Sequence, residues 1–158
     1  MPYIHVTTFI AAPQQLVFDL SRHIGLHKIS QQHYSEDAVS GITAGLIKEG
    51  ESVTWKAKHL FKERMMTVKI SSMIPSSFFE DVMTKGDFLS FSHKHHFKQI
   101  ANGTIMIDEL QFETPFRFIG TMLNHFYLTK HMKKLLEERN AVIKEYAEGN
   151  KWKTLLGQ

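Results

Sequence analysis

Residues 3–10 alternate in character: Ile4, Val6, Thr8 and Ile10 fall on one side of an extended chain and Tyr3, His5, Thr7 and Phe9 on the other, which predicts a strand. Ala12-Pro13 ends it, and a proline at a first helical turn is well tolerated because its missing N–H had no intrahelical partner. The spacing of Leu16, Val17 and Leu20 predicts a helix over 13–22. A second short helix over 23–32 follows, then a strand over 36–40, and Gly41, Gly45 and Gly50 mark 41–51 as turns. Strand-like runs then occupy 52–61, 64–73, 78–84, 88–98 and 104–113. The last follows Asn102-Gly103, a hairpin signal because both residues tolerate positive φ. Short connections between successive strands imply an antiparallel meander.

The period changes at Thr114-Pro115, which reads as an N-cap followed by an N1 proline. Ile119, Met122, Leu123, Phe126, Met132, Leu135, Leu136, Ile143 and Tyr146 then recur at helical spacings, and Gly149 is the natural stop. A helix of about 30 residues is ~45 Å long and can lie across a whole small sheet. The expected class is α+β, with a curved antiparallel sheet wrapped around the C-terminal helix. Residues 1–149 read as one domain and 150–158 as a tail, whose Trp152, Leu155 and Leu156 either pack back or meet a partner.

A chain of 158 residues can bury a sizeable core, and 42% hydrophobic residues with 12 Phe and 8 Met argue against disorder. With no cysteine there are no disulfides, thiolate metal sites or thiol nucleophiles, and a cytoplasmic location is the default expectation. No signal-peptide pattern opens the sequence, and no apolar run approaches the ~20 residues that span a bilayer, so membrane insertion is not expected. The formal charge of +3 is spread along the chain apart from Lys130, Lys133 and Lys134, too sparse a basic stripe for nucleic acid.

Several segments together resemble one superfamily. They are Ile10-Ala11-Ala12-Pro13 with Val17-Phe18-Asp19-Leu20, and Gly50-Glu51-Ser52-Val53-Thr54-Trp55-Lys56-Ala57-Lys58-His59. Gly86-Asp87-Phe88 with His93-Lys94-His95-His96-Phe97, and Gly103-Thr104-Ile105-Met106-Ile107-Asp108, complete the set. In order and spacing, over roughly 3–147, the chain resembles the SRPBCC group with its START, Bet v 1-like and polyketide cyclase members, and within it the bacterial cell-division-inhibitor-like proteins. One departure is Leu60-Phe61-Lys62, where such proteins usually place a glycine after a His-Phe pair. The resemblance implies a helix-grip fold with a cavity between sheet and long helix, holding a lipid, polyketide-like or aromatic metabolite. It does not imply a reaction.

Alternation assigns inward faces. Val53, Trp55, Ala57, His59 and Phe61 share one side of their strand; Phe91, His93, His95 and Phe97 share another; Met106, Asp108, Leu110 and Phe112 a third. Buried polar groups need partners, so His59, His93, His95 and Asp108 are expected to pair with one another, with water or with a ligand. Either the group is a core network that rigidifies the sheet, or it orients an apolar ligand. His93 and His95 stand about 7 Å apart by strand rise, workable for chelation with His59 and Asp108, but neither a metal nor a cofactor is expected. His27 joins the candidate site through the resemblance, while His5, His23, His125 and His131 receive no functional role.

The candidate ligand-binding residues are therefore Trp55, His59, Phe91, His93, His95, Met106, Asp108 and His27, roofed by Met122 and Phe126 of the last helix. The leading reading is a non-enzymatic binder of a small, largely apolar molecule. A cyclase or dehydratase using the same cavity, and an interaction protein with a filled core, are the alternatives. A homodimer is left open.

Overall fold

The computed structural model describes residues 1–59, 61–115 and 122–157, with the backbone alone for 122–125. Strand β1 (Tyr3–Ile10) leads into helices α1 (Gln14–Ser21) and α2 (Ile24–Ser30) and a 3-10 turn, Gln32–Tyr34. Strands β2 (Asp37–Gly41), β3 (Ser52–His59), β4 (Lys62–Ile74), β5 (Phe78–Lys85), β6 (Ser90–Ile100) and β7 (Gly103–Glu113) follow. The long helix α3 (Met122–Glu148) and a short α4 (Lys151–Leu156) close the described chain. The seven described strands form one sheet in the order β1-β7-β6-β5-β4-β3-β2, antiparallel at every pairing. Register shifts in the β2–β3 and β4–β5 pairs add local twist, which helps the sheet bend around what it covers.

The core lies where the concave face meets α1, α2 and the C-terminal half of α3. Phe18 of α1 is buried and meets the rings of Phe79 and Phe97 edge-on, with centroids 5.8 and 5.4 Å away. Ile143 and Ala147 of α3 close this cluster, and Trp152, Leu155 and Leu156 pack against it, so the last residues dock on the core as a helix.

Two sequence expectations change. Neither Asn102 nor Gly103 takes positive φ. Glycine is required at 103 for space, since a Cβ there would stand 2.4 Å from the Ile10 carbonyl oxygen and 3.0 Å from Ala11 Cα. Gly103→Ala is therefore expected to push β1 and β7 apart and lower stability by about 1–3 kcal/mol, read as a reduced thermal midpoint. An unchanged midpoint would contradict the close approach.

Phe61 does not continue the inward row of β3. His59 pairs directly with Lys62, so the strand has already turned; Phe61 adopts φ 64° and is 99% exposed. This left-handed conformation is one that glycine adopts most readily, as expected where the resemblance implies a glycine. Finally, α3 is described from Met122, and its expected start at Thr114-Pro115, with Ile119, runs into residues outside the described ones.

Candidate functional site

A cavity of about 570 Å³ opens between the concave sheet and α3. Its walls are largely apolar: Val53, Trp55 and Ala57 from β3, Phe91 from β6, Leu110 from β7, and Met132 and Leu136 from α3 all line it. These residues face inward because each strand alternates one apolar and one polar side. β3 shows this plainly, with Val53, Trp55 and Ala57 buried while Thr54 and Lys56 are less so.

A polar cluster built on β5, β6, β7 and α3 interrupts this apolar lining. Asp81 lies across from His93 in the β5–β6 ladder, and His95 lies across from Asp108 in the β6–β7 ladder. Asp108 is fully buried, and its Oδ1 sits 2.9 Å from His93 Nε2 and 3.1 Å from His95 Nδ1. The other ring nitrogen of His95, Nε2, is 2.8 Å from Asp81 Oδ2. The two imidazole centroids are only 3.8 Å apart, because both rings lean toward the same carboxylate, and His95 stacks on Phe79 at 4.0 Å.

Helix α3 supplies the countercharge. Arg139 donates to Asp108 Oδ1 at 3.2 Å, to Asn140 Oδ1 at 3.0 Å and to the Ser21 carbonyl at 3.2 Å. Asn140 donates to Asp108 Oδ2 at 2.7 Å and to Thr8 Oγ1 at 3.2 Å. Burial opposes ionisation of Asp108, but Arg139 and the neighbouring His93 and His95 outweigh it and hold the carboxyl well below its ordinary value. Asp81 is likewise held low: burial raises it, and the bond from His95 together with the nearby His93, His95 and Arg139 more than compensates. Burial first, then neighbouring His95, push His93 below the usual histidine range and keep it neutral, against the pull of Asp108 and Asp81.

A second cluster lies elsewhere on the cavity wall. Glu36 accepts a hydrogen bond from His27 and stands 3.9 Å from His59 Nε2. His59 Nδ1 is 3.3 Å from His131 Nε2, and Tyr34 packs on His59 at 4.8 Å. Burial works against ionised Glu36, yet His27 and His59 bring its carboxyl down to about 2. His27 also leans on Trp55, with ring centroids 4.4 Å apart.

Of the residues singled out in the sequence, Trp55, His59, Phe91, His93, His95 and His27 line the cavity. His59 does not join His93, His95 and Asp108; it belongs to the Glu36 group. Asp108 is buried behind His93 and His95 and is not itself a wall residue. Met106 is also buried off the cavity, packed beneath α1, where Ser21 Oγ reaches its sulfur at 3.4 Å. Phe126 is 72% exposed and does not line the cavity. The wall-facing row of α3 runs through Leu128, Met132, Leu135, Leu136 and Arg139, and Phe126 lies off it. The side chain of Met122 lies outside the described residues.

Asp81, Arg139, Asn140 and Glu36 escaped notice in the sequence, and His131 was given no functional role there. Three carried a legible signal. Asp81 shares the inward face of β5 with Phe79, and Arg139-Asn140 fills the gap between Leu136 and Ile143 in the apolar row of α3.

No protein-family model and no curated protein matches this chain. Solved structures do. A protein from Thermus thermophilus superposes with a TM-score of 0.70 at 16% identity, over 90% of this chain and 97% of its own. Ginseng major latex-like protein 151 from Panax ginseng gives 0.67 at 12%, over 94% and 98%. A START superfamily protein from Mycobacterium smegmatis gives 0.66 at 11%, over 92% and 97%. At such identities the likeness establishes the fold, the helix-grip architecture of Bet v 1-like and START proteins. No described helix is long and apolar enough to cross a membrane.

Proposed function

We propose that the chain binds one small, largely apolar molecule in the cavity between the sheet and α3, with a polar group of that molecule turned toward the inner histidines. The observation that carries this reading is a space of about 570 Å³, within the range of small-molecule sites, with apolar walls and a few convergent polar groups. A filled-core interaction protein would leave no such space. Gln31 adds support: it lines the cavity, its Nε2 donates to the Leu135 carbonyl, and its Oε1 is buried without a hydrogen-bond partner among the described residues. A buried acceptor left unpaired is costly, and a hydroxyl or amide on the ligand would satisfy it.

Native mass spectrometry of the purified chain is expected to detect one co-purified apolar molecule per chain. Ala57→Phe places a ring in the cavity from a wall position, and is expected to lower uptake of an apolar fluorescent dye at least roughly tenfold while leaving the far-ultraviolet dichroism unchanged. Absence of both a co-purified molecule and saturable dye uptake would defeat the reading.

A second reading is a cyclase- or dehydratase-like reaction in the same cavity. It is favoured by His93, which burial keeps neutral and Asp108 orients, as a group able to take a proton from a bound substrate.

A further inference from the structure

We propose that Asp81, His93 and His95 form a binding site for one divalent transition-metal ion on the cavity wall, with Asp108 as the outer carboxylate that orients both imidazoles. One donor atom from each of the three residues lies within 4.8 Å of the others, His93 and His95 are buried, and all three line the cavity. Donors around a four-coordinate ion at ~2.1 Å stand about 3.4 Å apart, so closing the set takes side-chain rotations of about an ångström. His95 Nε2 and Asp81 Oδ2 are already 2.8 Å apart.

The surroundings have the form of a metal site's second layer. Ligating histidines nearly always give their other N–H to a carboxylate or carbonyl, which fixes ring and tautomer. Here a single oxygen, Asp108 Oδ1, stands 2.9 Å from His93 Nε2 and 3.1 Å from His95 Nδ1. That assigns His93 Nδ1 and His95 Nε2 to the ion, His95 Nε2 exchanging its direct bond to Asp81 for an ion shared with it. Asp108 is in turn held by Arg139 and Asn140, as the outer partners of such sites usually are.

Charge is consistent. Arg139 faces two carboxylates, Asp108 and Asp81, so with neutral imidazoles the cluster keeps one net negative charge, which a cation offsets. His95 serves both states by moving one proton between its nitrogens. Without the ion, Nε2–H donates to Asp81 and Nδ1 accepts from Arg139, 3.3 Å away; with it, Nε2 ligates and Nδ1–H donates to Asp108. No net proton need enter or leave. Two histidines and one carboxylate suit zinc or ferrous iron and leave coordination positions free on the cavity side. The site stands whether or not the cavity also takes an apolar molecule.

The test uses untagged, chelator-treated full-length chain titrated with Co(II), followed by visible absorption, and with Zn(II), followed by calorimetry. One ion per chain is expected, with visible Co(II) bands of a nitrogen-ligated site. Asp81→Asn and His93→Gln are each expected to weaken binding by at least roughly tenfold, in the range found when elements of such sites are removed. Glu36→Gln, which disturbs only the other histidine cluster, is expected to leave affinity and stoichiometry unchanged. Circular dichroism of each variant establishes that it is folded, and Asp81, the least buried of the three, gives the variant best placed to stay so. Absence of saturable one-to-one binding, or affinity that Asp81→Asn and His93→Gln both leave unchanged, or affinity that falls only with Glu36→Gln, would overturn the proposal.

Discussion

Asp108→Asn is expected to lower the free energy of unfolding by about 3–5 kcal/mol, the cost of leaving a buried charge without its partner. The carboxylate is fully buried and accepts from Arg139, Asn140 and His93, and Arg139 is itself only 4% exposed. Neutralising the acid strands the guanidinium between α3 and the sheet, where Asn140, the Ser21 carbonyl and His95 Nδ1 are its remaining acceptors. Urea unfolding of wild type, Asp108→Asn, Arg139→Met and the double Asp108→Leu, Arg139→Met variant separates the pair from its parts. The double variant should lose less than Asp108→Asn alone, because an apolar replacement of similar volume leaves no unpaired buried charge. A loss below about 1 kcal/mol for Asp108→Asn would mean that water reaches Arg139 and the cluster is not closed.

Acid should also unfold the protein through Glu36. Its side chain is 9% exposed, and its carboxyl is held down to about 2 from an ordinary 4.5. The unfolded chain therefore binds the proton first as pH falls. The stabilisation, about 3 kcal/mol at most, is present in full above pH ~4.5 and disappears as pH drops toward 2. His131, pushed below the histidine range chiefly by burial and then by His59, acts in the same sense from pH ~6.5 downward, since the unfolded chain is again the better proton acceptor. Unfolding free energies at pH 5 and pH 2.5 should differ less in Glu36→Gln than in wild type, the remaining difference belonging to Asp108 and Asp81. Equal slopes in the two proteins would show that Glu36 is not the group lost.

What the sequence by itself determined is local. Period-two alternation placed Trp55, Phe91, His93 and His95 on inward faces, and the apolar row from Met132 through Ile143 marked the long helix, because both periodicities are geometric properties of a single element. Locality also explains where that reading stopped. The inward row of β3 ended at His59 and not Phe61, since a chain that has turned no longer obeys the strand period. Phe126 shared the helix but not its wall-facing row.

Which inward side chains meet was decided only by tertiary structure. The β5–β6 register sets Asp81 opposite His93, and the β6–β7 register sets Asp108 opposite His95. The seating of α3 across the sheet brings Arg139 and Asn140 onto that carboxylate, whereas His59, two strands beyond β5, falls to Glu36, His27 and His131 instead. Strand register and helix seating join residues tens of positions apart through a core that packs in only one way, and no spacing within a single element encodes them.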